Sequence, residues 1–118
     1  MTGRTPSFCS QFHRAIELIG GRWTGAIINA LLGGRARYAA LRDAIPDISD
    51  RMLSERLREL EAEGILVRHV TPETPVRVEY ELTRKGLALE KALRAIGAWA
   101  AEWVPVAKSG KAGRQRSA

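Results

Sequence analysis

Residues 48–66, ISDRMLSERLRELEAEGIL, restrict the fold more than any other stretch of the chain. Leu53, Leu57 and Leu60 recur at helical spacing, so one stripe of this helix must be covered by other segments. Ser49 stands where its hydroxyl can cap the first turn, Asp50 suits the positive end of the helix dipole, and Gly64 closes the helix at C′. At 100° per residue Arg51, Ser54, Glu55 and Arg58 fall near the opposite side, so a serine and two arginines share one solvent face. An apolar, β-rich run begins at once after Gly64. The chain must therefore fold around a helix whose outward side is free for another purpose.

The flanking segments supply the cover. In FHRAIELIG, Phe8, Phe12, Ile16 and Ile19 recur at helical spacing until Gly20 and Gly21 interrupt. RWTGAIINALLGG puts Trp23, Ile27, Ala30 and Leu31 on one side of a second helix that Gly33 and Gly34 end. ARYAALRDAIP reads as a short extended start and a third helix around Leu41 and Ile45, stopped by Pro46. ILVRHVT and VRVEYELT flank TPETPV as a hairpin with a proline-stiffened tip, and Val78, Tyr80 and Leu82 alternate with Arg77, Glu79 and Glu81. Thr83 caps one long last helix through Trp103, with Leu89, Leu93, Ile96, Trp99, Ala100 and Trp103 as its apolar side.

Composition bounds the partners. With 118 residues, 45% of them hydrophobic, the chain fits one domain, and with only 6% aromatic residues its core is built from aliphatic side chains. We read residues 1–8 as a loose arm, 9–104 as the folded domain and 105–118 as a basic, disordered tail. The formal charge of +6 points to a polyanion, but the tail supplies Lys108, Lys111, Arg114 and Arg116; 19 basic residues less these four leave 15 against 13 acids. An argument for nucleic acid must therefore rest on where the arginines point. A single cysteine, Cys9, excludes an internal disulfide, and no apolar run reaches membrane-spanning length. The expectation is a reducing compartment, the cytoplasm, with no membrane partner.

Four helices, a two-stranded hairpin and a last helix, mainly α with a small β hairpin, are the order of a winged helix-turn-helix. A DNA major groove about 12 Å wide admits one helix, whose outward side chains then meet base edges. That gives the polar face of 48–66 its purpose.

The segments IELIGGRWT, the Leu-Gly-Arg run leading to RY, PDISDRMLSERLRELEAEGIL, VTPETPVRVEYELT and the following RKG resemble the HxlR family of bacterial transcription regulators, relatives of the MarR winged-helix proteins, over residues 9–103. The resemblance implies a homodimeric, sequence-specific DNA-binding regulator, most often a repressor. It implies dimerisation through the first and last helices, here Phe12, Ile16, Leu93, Ile96, Trp99 and Trp103. Arg51 and Ser54 match the start of the family's recognition helix, beside the cap Ser49, and Arg58 lies one turn further on. Arg51 is expected to read a base, or else to pair with Glu55 at i+4. Arg77, at the base of the wing, and Arg37, before Tyr38, are expected to anchor phosphates. Arg56, beside the buried stripe, suits an internal ion pair or a phosphate contact, and Trp23, next to Arg22, suits the core. Relatives carry a polar cap after the aromatic where Ala39 and Ala40 stand here, so the third helix is expected to start late or fray.

Several HxlR-type regulators sense electrophiles or oxidants through a cysteine near the amino terminus. Cys9 is the candidate here, near Arg14 and His13, although Ser10 replaces the usual proline and the spacing to the tryptophan is one residue longer. A buried, inert cysteine is the alternative reading. A small-molecule effector between the dimer helices and the winged domain is a further candidate partner. No metal site or cofactor is expected, because Cys9, His13 and His69 are too few and badly placed. Cys9 with His13 at i+4 could mimic the nucleophile and base of a small cysteine-dependent enzyme, a lesser alternative, but no oxyanion-hole or P-loop signature accompanies them, so we expect no enzyme. A winged module that binds proteins is the competing reading; such modules often lose the arginines present here at 37, 51, 58 and 77.

Overall fold

The computed structural model describes residues 8–106. Most of the arm and tail expected from sequence, residues 1–7 and 107–118, lie outside the described residues. The elements run α1 (Ser10–Ile19), α2 (Thr24–Leu31), β1 (Ala36–Arg37), α3 (Tyr38–Ala44), α4 (Asp50–Ala62), β2 (Leu66–Thr71), β3 (Arg77–Leu82), α5 (Arg84–Leu87) and α6 (Glu90–Trp103). This is a winged helix-turn-helix, with α3 and α4 as the paired helices and β2–β3 as the wing.

The core gathers Ile27, Ile28 and Leu31 of α2, Leu41 of α3, Leu53, Leu57 and Leu60 of α4, Ile45 and Ile48 of the α3–α4 turn, and Ile65, Leu66 and Leu82 of the sheet end. Each such leucine contributes ~1.5–3 kcal/mol by burial, several times any difference in helix propensity, so the seam fixes which way α4 faces. The local signals hold at both ends of α4. The Met52 N–H donates to Ser49 Oγ at 3.0 Å, and Gly64 takes φ +76°, which only glycine adopts freely.

One expectation is extended and two need correction. The hairpin is part of a three-stranded antiparallel sheet of order β1-β3-β2, in which Ala36 pairs with Tyr80 and Arg37 with Glu79. The third helix neither starts late nor frays. It begins at Tyr38 with Arg37 as an N-cap that makes no side-chain bond, because the Tyr38 hydroxyl ties it to α4 instead: it donates to the Asp50 carbonyl at 3.0 Å. The last helix is not continuous. The Leu89 N–H bonds the Gly86 carbonyl at 3.0 Å, three residues back, and Leu89 packs on the core, so the chain tightens between α5 and α6.

Gly86 marks the closest approach at that corner. Thr83 bonds the Ile65 carbonyl through its N–H at 2.9 Å and its hydroxyl at 3.1 Å, drawing α5 onto the start of β2. A Cβ at Gly86 would collide with the Ile65 carbonyl oxygen and meet Leu82 Cδ2 at 3.0 Å. Helix propensity alone would make Gly86→Ala stabilising by ~1 kcal/mol, whereas overpacking against backbone costs ~1–3 kcal/mol. We expect the collision to win, with a lower urea midpoint at unchanged m-value. A raised midpoint would show that the corner opens without penalty.

Trp23 precedes α2 with φ +73°, a left-handed backbone that costs a non-glycine residue roughly 1–2 kcal/mol. Its ring packs against the core, offsetting that strain, and the Arg22 guanidinium lies 5.2 Å from the ring centroid. Trp23 is thus core, as its sequence position suggests.

Candidate nucleic-acid interface

The α3–α4 turn places the outward face of α4 on the surface. Arg51 is 88% exposed in its side chain, with its Nε 3.2 Å from Glu55 Oε2. Of the two readings, the pair with Glu55 is present, and the side chain rests on Glu55 while standing in solvent. Such exposed pairs contribute only ~0.2–1 kcal/mol and yield readily to a competing partner. Arg58 is exposed one turn beyond Ser54. Ser54 is half-buried, its Oγ 3.3 Å from the Tyr38 hydroxyl, and Ser49 spends its oxygen on the cap.

Sequence reading missed the group that orients this helix. The Tyr38 hydroxyl, besides its bond to the Asp50 carbonyl, lies 3.2 Å from Asp50 Oδ1, and Arg42 Nη1 reaches the same oxygen at 3.3 Å. These contacts join α3 to the first turn of α4. The only prior signal was an aromatic three residues before Leu41, and nothing in the spacing pairs it with Asp50. A double-mutant cycle of Tyr38→Phe with Asp50→Ala should return a coupling of ~0.5–1.5 kcal/mol in unfolding free energy. Additive losses would mean that the hydroxyl joins the helices through the Asp50 carbonyl alone and not through its carboxylate.

The remaining sequence candidates fall apart in space. Arg77 is not at the base of the wing: it pairs in register with Thr71, next to the 72–76 turn and at the far end from the core pair Leu66 and Leu82. Its guanidinium lies 3.7 Å from Glu73 and its buried Nε has no hydrogen-bond partner. Arg37 is exposed on β1, on the outer sheet face opposite Tyr80. Arg56 is structural, donating to the Arg22 carbonyl at 2.9 Å and to Glu59 at 3.0 Å. On the outer sheet face, His69 and then Arg35 bond Glu81 and hold its carboxyl below the usual carboxylate range. A carboxyl lowered in this way stabilises the fold above its ordinary value, and that contribution is lost as pH falls through the lowered one.

Cys9 is exposed, so the buried reading is withdrawn. It serves as the N-cap of α1, where the Phe12 N–H donates to its Sγ at 3.4 Å. The basic neighbours suggested for it are engaged elsewhere: Arg14 pairs with Glu63, and His13 lies 3.4 Å from Glu17. Neither α1 nor α6 buries a residue. Phe12 (67% exposed), Ile16, Ile96, Trp99 (60%) and Trp103 (64%) all stand in solvent. Leu93 differs from the other members of this apolar set by being half-buried against the core.

Residues 18–108 match the HxlR-like helix-turn-helix family. The chain belongs to that family. It is 48% identical over 96 residues, covering 81% of this chain and 89% of the relative, to YvaP of Bacillus subtilis strain 168, an uncharacterized HTH-type transcriptional regulator. It is 46% identical over 94 residues to the HTH-type transcriptional regulator YodB of the same organism, covering 80% and 84%. The reduced form of YodB matches the fold with a TM-score of 0.76 at 42% identity, over 86% of this chain and all of that one. YodB has also been solved after diamide treatment and with quinone bound. The redox regulator HypR in its oxidized form matches with a TM-score of 0.76 at 35% identity, over 81% of this chain and 99% of that one. As a family member, the chain is a DNA-binding transcriptional regulator of the HTH type and not an enzyme. Among the described residues no group of three or more His, Cys, Asp or Glu gathers to hold a metal ion, and no helix is long and apolar enough to cross a membrane.

Proposed function

We propose that the protein is a homodimeric repressor that binds a pseudo-palindromic operator with one α4 in each half-site. The observation that carries this reading is the side of α4 opposite its leucine seam, where Arg51 and Arg58 are exposed and Ser54 lies between them. Arg51 offers a planar double donor to guanine O6 and N7, while Ser49, Arg37 and Arg77 contact backbone. Dimerisation uses Phe12, Ile16, Ile96, Trp99 and Trp103, with Leu93 bracing α6 from beneath. These five large apolar side chains stand in solvent on two helices that bury none of their residues.

Cys9 is the proposed switch. Its thiol is exposed at the N-terminus of α1, the proposed dimerisation helix, so oxidation or alkylation there would alter how two subunits meet. The relative YodB, solved in reduced, diamide-treated and quinone-bound forms, supports this reading. A small-molecule effector is a second route, with the open depression lined by Ser10, Arg14, Leu18, Glu63 and Lys85 as its candidate seat.

Footprinting on the DNA flanking its own gene, with and without diamide or a quinone, tests the proposal. We expect protected half-sites about one helical turn, ~10 bp, apart, released by the oxidant and retained by Cys9→Ser. Affinity never exceeding that for random duplex would overturn specific regulation, and release of Cys9→Ser by diamide would remove the cysteine from the switch.

A further inference from the structure

We infer that the groove between α4 and the wing holds one sugar-phosphate strand of the duplex, gripped by Arg58 from the helix and by Arg68 from β2. The inference rests on the DNA-binding reading above and divides the α4 face into two jobs: Arg51 reads, Arg58 holds.

The groove measures about 350 Å³ and is lined by Ser54, Leu57, Arg58, Glu61, Arg68 and Tyr80. Strand alternation explains why Arg68 is there. It pairs with Tyr80, while Leu66 pairs with Leu82, so Arg68 shares the inner sheet face with residues that cover the core. Arg68 is exposed where Leu66 is buried, because the wing runs past the end of the core. The inner face continues there as one wall of a groove, with α4 as the other.

A helix seated in the major groove with a hairpin beside it leaves one backbone strand to pass between them. The walls suit that occupant. Neither Arg58 nor Arg68 has a carboxylate within ion-pair distance among the described residues, whereas Arg42, Arg51, Arg56 and Arg77 each have one. Glu61 is the opposing charge, one carboxylate against two guanidiniums, so the lining keeps a net positive charge. Two guanidiniums, one on each wall of a groove also lined by Leu57 and Tyr80, recognise a phosphodiester by charge and paired donors. They meet no base edge, so the grip is independent of sequence.

The test measures binding of wild type, Arg68→Ala, Arg68→Lys and Arg58→Ala as a function of salt. Two duplexes serve as probes: one from the region upstream of the protein's own gene and a random duplex of equal length. Removing one phosphate-binding cation per subunit lowers the slope of log K against log salt by ~0.9, or about 1.8 for a dimer. We expect this decrease for Arg68→Ala and Arg58→Ala on both duplexes, with the ratio of the two affinities unchanged, and a slope near wild type for Arg68→Lys. A wild-type slope for Arg68→Ala overturns the grip while leaving DNA binding intact. A weakening confined to the upstream duplex overturns it in favour of base reading. Wild-type protein that binds neither duplex overturns the grip together with the reading beneath it.

Discussion

Trp99→Glu is expected to convert the protein to a monomer and lower operator affinity by two to four orders of magnitude. Trp99 stands in solvent on α6 between Ile96 and Trp103, on a helix that buries none of its residues. A charge there costs the lone subunit little and the paired one much, because a buried, unpartnered carboxylate is strongly disfavoured. Joining two reading helices makes the second half-site contact intramolecular, which raises avidity ~10²–10⁴-fold without a new contact. Sedimentation should show a single subunit mass where wild type shows twice that mass, while circular dichroism remains that of a folded chain. A variant that is still dimeric and still saturates the operator would move the interface away from α6.

Arg51→Ala is expected to remove most of the preference for the operator over random DNA. A bidentate arginine–guanine contact discriminates by ~1–3 kcal/mol, so two in a dimer give roughly 2–6 kcal/mol, thirtyfold or more. The competing interaction, the exposed pair with Glu55, contributes at most ~1 kcal/mol and to folding rather than binding. Removal of the base reading therefore dominates, and thermal stability should barely change. Random-duplex affinity and its salt slope should stay close to wild type, which separates Arg51 from the backbone-holding arginines. Equal losses on both duplexes would place Arg51 among the phosphate contacts instead.

What the sequence disclosed follows the range of the interactions involved. The seam of Leu53, Leu57 and Leu60, the caps at Ser49 and Thr83 and the stop at Gly64 are set by neighbours a few residues away, and spacing reveals them. The pairing of β1 joins Ala36 to Tyr80, 44 positions on, and two residues carry no period from which to read it. The break before α6 has neither proline nor glycine at Ala88 or Leu89; it comes from Leu89 docking on the core. The sequence assigns Tyr38 no role because the function of its hydroxyl depends on where Asp50 lies in space. For the candidate interface, the helical wheel found the face bearing Arg51 and Arg58. Arg68 was hidden in a strand whose register with β3 alone places it on the inner face, and only the extension of the wing past the core turns that position into surface.

The open apolar faces of α1 and α6 also bear on how long the chain survives. If pairing covers them, dilution exposes tryptophan and phenylalanine to water, and the melting temperature falls as total protein falls, since association favours the native state by mass action. Scarcity would then not only empty the operator but also hasten the turnover of the subunits that remain, so supply and durability of this regulator decline together.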